Sequence, residues 1–403
     1  MSTDNPEQHA SPRSLAGATI LQVVPALRED PVARAAVNVA HALLRAGARA
    51  IIAAGEGPLS AELKTAGGES VSLVNETMNP LRIRSNARFI ERLIASERID
   101  IVHAHSVGGA WSAQMAAAQI AVWLVTTLPD VPVVSGWRAR WASALARGDR
   151  VITPSQFAAA PLIAHYGLAR DRLTIIPRSI ETSTFDPEAV PPDRIEAMRK
   201  TWRVQPDERV VLVPGRVAPW NDQLVLPAVV RLLVESGAKG FAFVMAGEHE
   251  SFRRYARYVA ETARAQGVQS LLRFGGHCRD MPAAYAAAHV VMVPAAEPPV
   301  LGRAVAEAQA LGRPVVTSSV GASPEHVVTP PEMPEDIRTG WVVEPGDAAA
   351  FAHALAQAFA LDSAAYRAMS ARARQFAEYM FSPRSVAVAT RAVYTSLLAR
   401  DHA

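Results

Sequence analysis

Two carboxylates flank a glycine in segment 294–316, where the sequence predicts a strand end, a loop, a helix and a further strand. Glu297 lies in the loop, Gly302 lies near the helix start, and Glu307 falls in an early turn of the helix. Gly312 is expected to end this helix, because glycine readily adopts the left-handed conformation that follows a helix. A carboxylate beside the free N–H groups of a helix start is suited to binding a sugar nucleotide.

The elements that must position these residues form two series of alternating strands and helices. The first series covers roughly residues 18–176, and the second covers roughly 210–343. The strands are continuous apolar runs, which is typical of a parallel sheet covered by helices on both faces. The predicted fold class is therefore α/β, with two doubly wound Rossmann-like domains facing a cleft. Ligands of such domains bind at the carboxyl ends of the strands.

Four prolines interrupt the alternation between residues 186 and 207, and this segment is the predicted linker. The last helix is expected to pack back on the first half of the chain. The predicted organisation is a disordered tail over 1–16, an N-terminal Rossmann-like domain over 17–190, a C-terminal Rossmann-like domain over 191–380, and a C-terminal helix over 381–403.

Composition excludes several classes of function. The chain has 403 residues and a formal net charge of only +3, which argues against nucleic acid as a partner. Cys278 is the only cysteine, so an intramolecular disulfide is excluded, and no ligand spacing suggests a metal site. The longest apolar run, 115–128, is too short to span a bilayer, and the polar N-terminal stretch does not resemble a signal peptide.

These features predict a cytoplasmic protein. Several arginines in the first half leave a peripheral contact with the membrane open, although solvated charges are the simpler interpretation. These arginines are Arg138, Arg140, Arg147 and Arg150.

Short motifs are spread over most of the chain. They are DIVHA at 100–104, RGDRVI at 147–152, PR at 177–178, PGR at 214–216, MAG at 245–247, GR at 302–303 with EA at 307–308, GRPV at 312–315 and TGWVVEPGD at 339–347. Together they resemble glycosyltransferase family 4, whose members are retaining enzymes of the two-domain GT-B fold. The resemblance implies that the N-terminal domain binds the acceptor and the C-terminal domain binds the nucleotide sugar.

The resemblance also implies roles for individual residues. Glu307 would accept hydrogen bonds from the ribose hydroxyls, which suits a carboxylate. Arg216, just after Gly215, would bind the diphosphate and offset charge on the leaving group. Glu297 would contact the donor sugar, so that Arg216 and Glu297 are the candidate catalytic residues.

The remaining candidates contact the phosphates and the acceptor. The backbone of Leu301, Gly302 and Arg303 would lie beside the phosphates and the sugar. His103 and His105, at the end of a first-half strand, could contact the acceptor. The nucleotide sugar is a co-substrate, and the resemblance implies neither a cofactor nor a metal. The acceptor would be a saccharide or a lipid-linked molecule.

Four positions depart from the pattern of the resembling family. The usual glutamate is replaced by Pro299, and Glu297 lies two residues earlier, which is roughly 7 Å of extended chain. Asn221 stands where the family has a lysine for the diphosphate. Segment 28–31 lacks the usual pair of glycines, and segment 128–130 lacks the usual histidine.

Two hypotheses follow. The first is a retaining glycosyltransferase of bacterial surface polysaccharide or lipopolysaccharide biosynthesis. The second is a catalytically degenerate relative that binds a nucleotide, a saccharide or a partner. Simpler interpretations of single residues also stay open. Glu307 could be a carboxylate favoured by the helix dipole, Arg216 a surface ion pair, Glu297 a solvated acid, and the two histidines structural.

Overall fold

The computed structural model describes residues 14–128, 135–298 and 302–400. The chain divides into two compact units. Unit 1 comprises the residues up to 177 together with those from 384 onward, and unit 2 comprises residues 178–383.

Unit 1 contains a seven-stranded sheet with helices connecting successive strands. Its strands are β1 (Thr19–Ala26), β2 (Arg49–Gly55), β3 (Glu69–Ser72), β4 (Ile101–Ala104), β5 (Trp123–Thr127), β6 (Arg150–Thr153) and β7 (Leu173–Ile175). Its helices are α1 (Pro31–Arg45), α2 (Leu59–Thr65), α3 (Pro80–Glu97), α4 (Val107–Ala117), α5 (Gly136–Ala142) and α6 (Gln156–Tyr166). The strand order is β3-β2-β1-β4-β5-β6-β7, and the paired strands are parallel.

Unit 2 contains a six-stranded sheet of the same kind. Its strands are β8 (Arg209–Pro214), β9 (Phe241–Ala246), β10 (Leu272–Gly276), β11 (Val290–Val293), β12 (Val315–Ser318) and β13 (Gly340–Val343). Its helices are α7 (Pro192–Thr201), α8 (Leu226–Glu235), α9 (Arg253–Ala265), α10 (Met281–Ala287), α11 (Arg303–Ala310), α12 (Ala348–Ala360) and α13 (Ser363–Phe381). The parallel order is β10-β9-β8-β11-β12-β13, so two doubly wound sheets are confirmed.

The last helix, α14 (Pro383–Leu398), belongs to unit 1 from residue 384 onward. Its residues Ala387, Tyr394 and Leu397 are buried in the same core cluster as Ile20 of β1 and Val37 of α1. A helix from the end of the sequence thus completes the core of the unit formed by the beginning of the sequence.

The boundaries between the units differ from those predicted. The sequence placed the domain boundary at 190/191, whereas the division of the structure lies at 177/178. The physical reason is that Ile180, Phe185 and Val190 are buried in the core of unit 2. At the N-terminus, Leu15 is buried in unit 1, so the tail predicted over 1–16 ends before this residue, and 1–13 lie outside the described residues.

The segment that lacks the family's pair of glycines forms a helix cap instead. The Asp30 side chain accepts hydrogen bonds from the backbone N–H groups of Val32 and Ala33, at 2.9 and 3.0 Å. Pro31 occupies the first turn of α1, where its fixed φ is favourable and its missing N–H is not needed. Among the described residues, no helix combines the length and the apolar character needed to cross a bilayer.

Candidate functional site

The carboxyl edge of the unit 2 sheet collects most of the predicted site residues. The strand order reverses between β8 and β11, and the loops after these two strands carry Arg216 and Glu297. In doubly wound sheets the point of reversal is where the loops diverge and leave a crevice for a ligand. The predicted residues therefore lie at the edge where this fold binds ligands.

Two loops approach each other closely at this edge through glycine. The backbone N–H of Gly215 donates to the Ala246 carbonyl at 3.1 Å, and Gly215 has a φ of +108°. A Cβ atom on Gly247 would lie 1.8 Å from the Gly215 carbonyl oxygen, so a side chain at this position is excluded. The backbones of the loops after β8 and β9 are therefore in direct contact. Arg216 follows directly after this contact.

Arg216 is exposed and only loosely paired. Its Nε atom lies 3.4 Å from Oε2 of Glu248, and 54% of its side chain is accessible. The pKa of the Glu248 carboxyl is lowered mainly by the backbone N–H of Ser251, and Arg216 contributes less. Because an exposed ion pair at this distance is weak, the guanidinium can exchange Glu248 for an anionic ligand at low cost.

The side chain of Asn221, at the position of the family's lysine, forms its hydrogen bond within its own loop. Its side-chain amide donates to the Arg216 carbonyl at 2.7 Å, and Gln223 donates to the same oxygen at 2.9 Å. The next residue, Asp222, has a φ of +48°, and burial raises the pKa of its carboxyl. Asn221 thus holds the backbone of Arg216 and brings no positive charge to the site.

The loop that carries Glu297 is joined to the loop that carries Arg216. The Trp220 carbonyl accepts hydrogen bonds from the backbone N–H groups of Ala296 and Glu297, at 3.0 and 3.1 Å. The Glu297 side chain is exposed. Leu301, the remaining predicted residue of this loop, lies outside the described residues, as do the two residues before it.

Gly302 forms the N-cap of α11 in the left-handed conformation, with a φ of +53°. It is packed against His326, which sequence reasoning missed. The His326 Nδ1 atom lies 3.3 Å from the Gly302 carbonyl oxygen, and a Cβ atom on Gly302 would lie 2.3 Å from this nitrogen. His326 is buried and its carbonyl accepts a hydrogen bond from the Gln309 side chain, so it connects the start of α11 to its end.

Glu307 is a buried carboxylate in the second turn of α11. Only 8% of its side chain is accessible, and its Oε1 atom accepts from Arg303 Nε at 2.5 Å. Burial raises the pKa of Glu307, while hydrogen bonds from Arg303 and the Tyr285 hydroxyl oppose this shift. The stabilisation by a helix dipole is confined to the first turn, which holds no acidic residue here. The dipole alone therefore does not account for Glu307.

The acid stability of the protein should depend on His326. Burial lowers the pKa of His326 to about 4, whereas an unfolded histidine titrates near 6.5. Between these values the unfolded chain binds a proton that the folded protein does not, so stability is lost as the pH falls from 6.5 to 4. Each such histidine contributes up to about 1.4 kcal/mol per pH unit. His326→Gln should reduce this slope in urea unfolding at pH 7, 6 and 5.

The exposed His353 provides the control for this experiment. His353→Gln should leave the slope unchanged. An unchanged slope in His326→Gln would contradict the assignment of a neutral, buried imidazole at this position.

The two predicted acceptor residues lie at the carboxyl end of β4 in unit 1. His103 is fully buried, with Nδ1 2.6 Å from the Tyr394 hydroxyl and Nε2 2.6 Å from the Thr127 hydroxyl. His105 Nε2 lies 3.2 Å from Gln22 Oε1, and the two imidazole rings are 4.0 Å apart. Burial, together with His105, holds the pKa of His103 well below its usual value.

The acceptor role of these histidines stays a prediction. His103 would have to exchange one of its two hydroxyl partners in order to contact an acceptor. No cluster of three or more His, Cys, Asp or Glu side chains suited to a metal ion occurs in the described part of the chain.

Comparisons with known proteins identify the family. Residues 32–184 match the family model described as Glycosyltransferase Family 4, and residues 208–360 match the model described as Glycosyl transferases group 1. The chain is a glycosyltransferase family 4-like protein with the GT-B fold. The resemblance predicted from the sequence motifs is thereby confirmed.

Individual relatives agree with this assignment. A D-inositol 3-phosphate glycosyltransferase of Geodermatophilus obscurus is 30% identical to the family 4-like protein over 183 residues, which are 44% of this chain and 39% of that relative. The matches to the first three such relatives span 39%, 53% and 56% of those proteins' lengths.

Solved structures support the fold. A glycosyltransferase of Rickettsia africae superposes on the family 4-like protein with a TM-score of 0.76 and 24% identity, over 96% of this chain and 100% of that chain. The Anabaena protein HepE in complex with UDP superposes with a TM-score of 0.70 and 16% identity, over 94% and 100% of the two chains.

Proposed function

We propose that the family 4-like protein transfers a sugar from a nucleotide-sugar donor to a saccharide or lipid-linked acceptor. The observation that carries this proposal is the buried carboxylate of Glu307, in the helix that begins beside the point where the sheet order of unit 2 reverses. The relatives named as glycosyltransferases and the UDP bound to HepE support a nucleotide-sugar donor.

In this proposal each residue of the edge has a separate task. Glu307 accepts hydrogen bonds from the ribose hydroxyls in addition to those from Arg303 and the Tyr285 hydroxyl. The backbone N–H groups of Gly302 and Arg303 at the start of α11, together with Leu301 as the sequence predicts, and the loop of Gly215 and Arg216 bind the diphosphate. The loop of Glu297 contacts the donor sugar.

The proposed reaction retains the anomeric configuration. The bond between the sugar's anomeric carbon and the diphosphate oxygen breaks, and the acceptor oxygen forms the new bond on the same face. The acceptor proton passes to the departing phosphate oxygen, so no separate protein base is needed. The positive charge of Arg216 stabilises the diphosphate as negative charge develops on it. No cofactor and no metal ion takes part in the proposed reaction.

One observation favours the second candidate, a relative that binds nucleotides without turnover. The amide of Asn221 is used within its own loop, and the neighbouring Asp222 carries a carboxylate. The diphosphate would therefore meet Arg216 without the second positive charge that the family pattern supplies. This arrangement would weaken stabilisation of the leaving group more than it would weaken ribose binding.

A panel of nucleotide sugars separates the two candidates. Purified protein is incubated with UDP-, GDP- and ADP-sugars, with and without EDTA, and nucleotide release and thermal stabilisation are followed. Release or transfer that is unchanged by EDTA supports a metal-independent glycosyltransferase. Stabilisation without release across a broad panel of acceptors supports the binding protein. Neither stabilisation nor release with any nucleotide sugar would contradict both candidates.

Arg216 should be required for turnover more than for folding. Arg216→Ala is expected to lower kcat/KM by about 100-fold, the typical effect of removing one donor that stabilises developing negative charge. Arg216→Lys should recover part of the rate because it restores the charge. Arg231, in an exposed ion pair of α8, is the matched control, and Arg231→Ala should change the rate less than twofold. Equal rates in the two alanine variants would contradict this role.

We further propose that the reaction serves bacterial surface polysaccharide or lipopolysaccharide assembly. The protein would then work in the cytoplasm and contact the inner membrane peripherally, because a lipid-linked acceptor stays anchored there. The same panel, extended with lipid-linked saccharides and free saccharides as acceptors, tests this part of the proposal. Transfer to free saccharides alone would contradict it.

A further inference from the structure

The surface of unit 1 has an aromatic groove that the proposed reaction does not use. The groove has a volume of about 670 Å³ and lies between α4, α5 and α6. Trp111, Trp137, Trp141 and Tyr166 line it, and 62% of Trp137 is exposed. The rings of Trp111 and Trp141 lie 5.8 Å apart.

Guanidinium groups accompany these rings. Arg147 lies 5.2 Å from the ring centre of Trp111, and Arg138 lies 5.6 Å from that of Trp137. Arg140 also lines the groove. Within the described ranges, none of the three arginines forms an ion pair with a carboxylate, and no acidic residue lines the groove. Aromatic rings and unneutralised positive charge therefore share one surface.

The sequence around the groove has the same bias. Residues 107–170 contain five arginines and two acidic residues, Asp130 and Asp149, so that their formal net charge is +3. The part of the chain that forms this groove is therefore positively charged.

The polar tips of two aromatic side chains are already used inside the protein. The indole N–H of Trp111 donates to the Trp141 carbonyl at 2.8 Å, and the Tyr166 hydroxyl donates to the Ala139 carbonyl at 2.9 Å. Among the described residues that line the groove, no side chain carries the carboxylate or amide groups that bind sugar hydroxyls. It therefore offers ring faces and guanidinium groups, which suit an interface that is anionic outside and apolar beneath.

We propose that this groove, defined by Trp111, Trp137, Trp141, Arg138, Arg140 and Arg147, docks on a bilayer that contains anionic phospholipids. Tryptophan side chains favour the boundary between headgroups and acyl chains, and arginines beside them attract lipid phosphates. The inference rests on the proposed function in one respect, since it assigns a surface to the peripheral contact proposed above.

Sedimentation with vesicles tests the assignment on the full-length chain. Phosphatidylcholine vesicles with 30% phosphatidylglycerol should bind the protein, binding should weaken as salt is raised, and pure phosphatidylcholine should bind far less. Each arginine near an anionic surface contributes about fivefold in affinity. Replacing Arg138, Arg140 and Arg147 together by glutamine should therefore lower the partition coefficient on the order of 100-fold. Trp137→Ser should weaken binding at high salt as well, because its contribution is apolar.

The control variant replaces three exposed arginines of α3, namely Arg82, Arg84 and Arg88, by glutamine. Its change in charge is the same, and its effect should be small. An equal loss in both triple variants, or no binding by the unmodified protein, would overturn the proposal. Displacement from vesicles by a soluble anionic oligosaccharide at equal phosphate concentration would assign the groove to saccharide and would also overturn it.

Nucleotide release in vesicle-free buffer, measured on the same variants, keeps this inference separate from the proposed function. Nucleotide release without vesicle binding would contradict the proposed docking surface but not the proposed transferase activity. Vesicle binding without nucleotide release with any acceptor would contradict the proposed transferase activity but not the proposed docking surface.

Discussion

Glu307→Gln should weaken binding of a nucleoside diphosphate by two to three orders of magnitude while the protein stays folded. The carboxylate accepts two hydroxyl groups in the proposed complex, and a hydrogen bond to a charged group contributes about 1.5–3 kcal/mol. Glutamine presents an N–H₂ group to one of these hydroxyls and has no charge. Calorimetric titration with UDP, ADP and GDP measures the change in Kd.

The stability of this variant distinguishes a lost ligand contact from a damaged fold. Burial raises the pKa of Glu307, so the folded protein binds its proton more tightly than the unfolded chain does. An acid with a raised pKa lowers stability as the pH rises through its titration, and neutral glutamine avoids this cost. The thermal midpoint of Glu307→Gln at pH 7 should therefore be no lower than that of the unmodified protein.

A matched control is available in the same unit. Glu235 also pairs with an arginine four residues away, but this pair is exposed on α8. Glu235→Gln should leave both Kd and the thermal midpoint unchanged. If Glu307→Gln binds nucleotides as tightly as the unmodified protein, the ribose assignment is wrong.

Gly302→Ala should be one of the most destabilising single-methyl changes in unit 2. An alanine at a φ of +53° is strained by about 1–2 kcal/mol. Its Cβ would also lie 2.3 Å from Nδ1 of the buried His326, and forcing a methyl group into a packed core costs a further 1–3 kcal/mol, approximately. We expect the free energy of unfolding to fall by about 3 kcal/mol in total.

Gly267→Ala isolates the backbone strain from the contact with His326. Gly267 has a φ of +72°, and a Cβ atom there would meet nothing within 4 Å. Its alanine variant should therefore lose only about 1–2 kcal/mol. The double variant Gly302→Ala with His326→Ala removes the contact and should be more stable than the sum of the single changes predicts. Equal losses at Gly302 and Gly267, or strict additivity, would contradict the packing described here.

Much of the fold could be predicted because it depends on local patterns. Continuous apolar strands alternate with amphipathic helices, and this pattern alone predicts two parallel sheets. The exact boundary between the units could not be predicted in the same way. It depends on which core buries Ile180, Phe185 and Val190, and burial is decided by packing between distant segments.

Only part of the candidate site could be predicted, because motifs identify only residues that are close together in the sequence. Arg216 and Glu307 could be found from short motifs, because the residue and its surroundings are contiguous in the sequence. Tyr285 and His326, which surround Glu307 and Gly302, lie about 20 residues away from them and belong to no motif. His326 lies in the polar connection between β12 and β13, directly after Glu325, where no pattern in the sequence marks it.

Two departures from the family pattern have structural explanations that spacing does not show. Asp30 and Pro31 form a helix cap where glycines are usual, and Asn221 supports the Arg216 carbonyl where a lysine is usual. From the sequence both are losses. In the structure each residue stabilises its own loop, so that these substitutions change the chemistry of the two loops without disrupting their backbones.

The position of α14 has a consequence for how the chain is made. Residues 384–398 are translated only after all of unit 2, yet Tyr394 bonds to His103 on β4 and Leu397 is buried in the core of unit 1. Unit 2 is one continuous stretch and can fold as soon as it has left the ribosome. The half that is translated first must therefore wait, with part of its apolar surface uncovered, until the half translated second is complete.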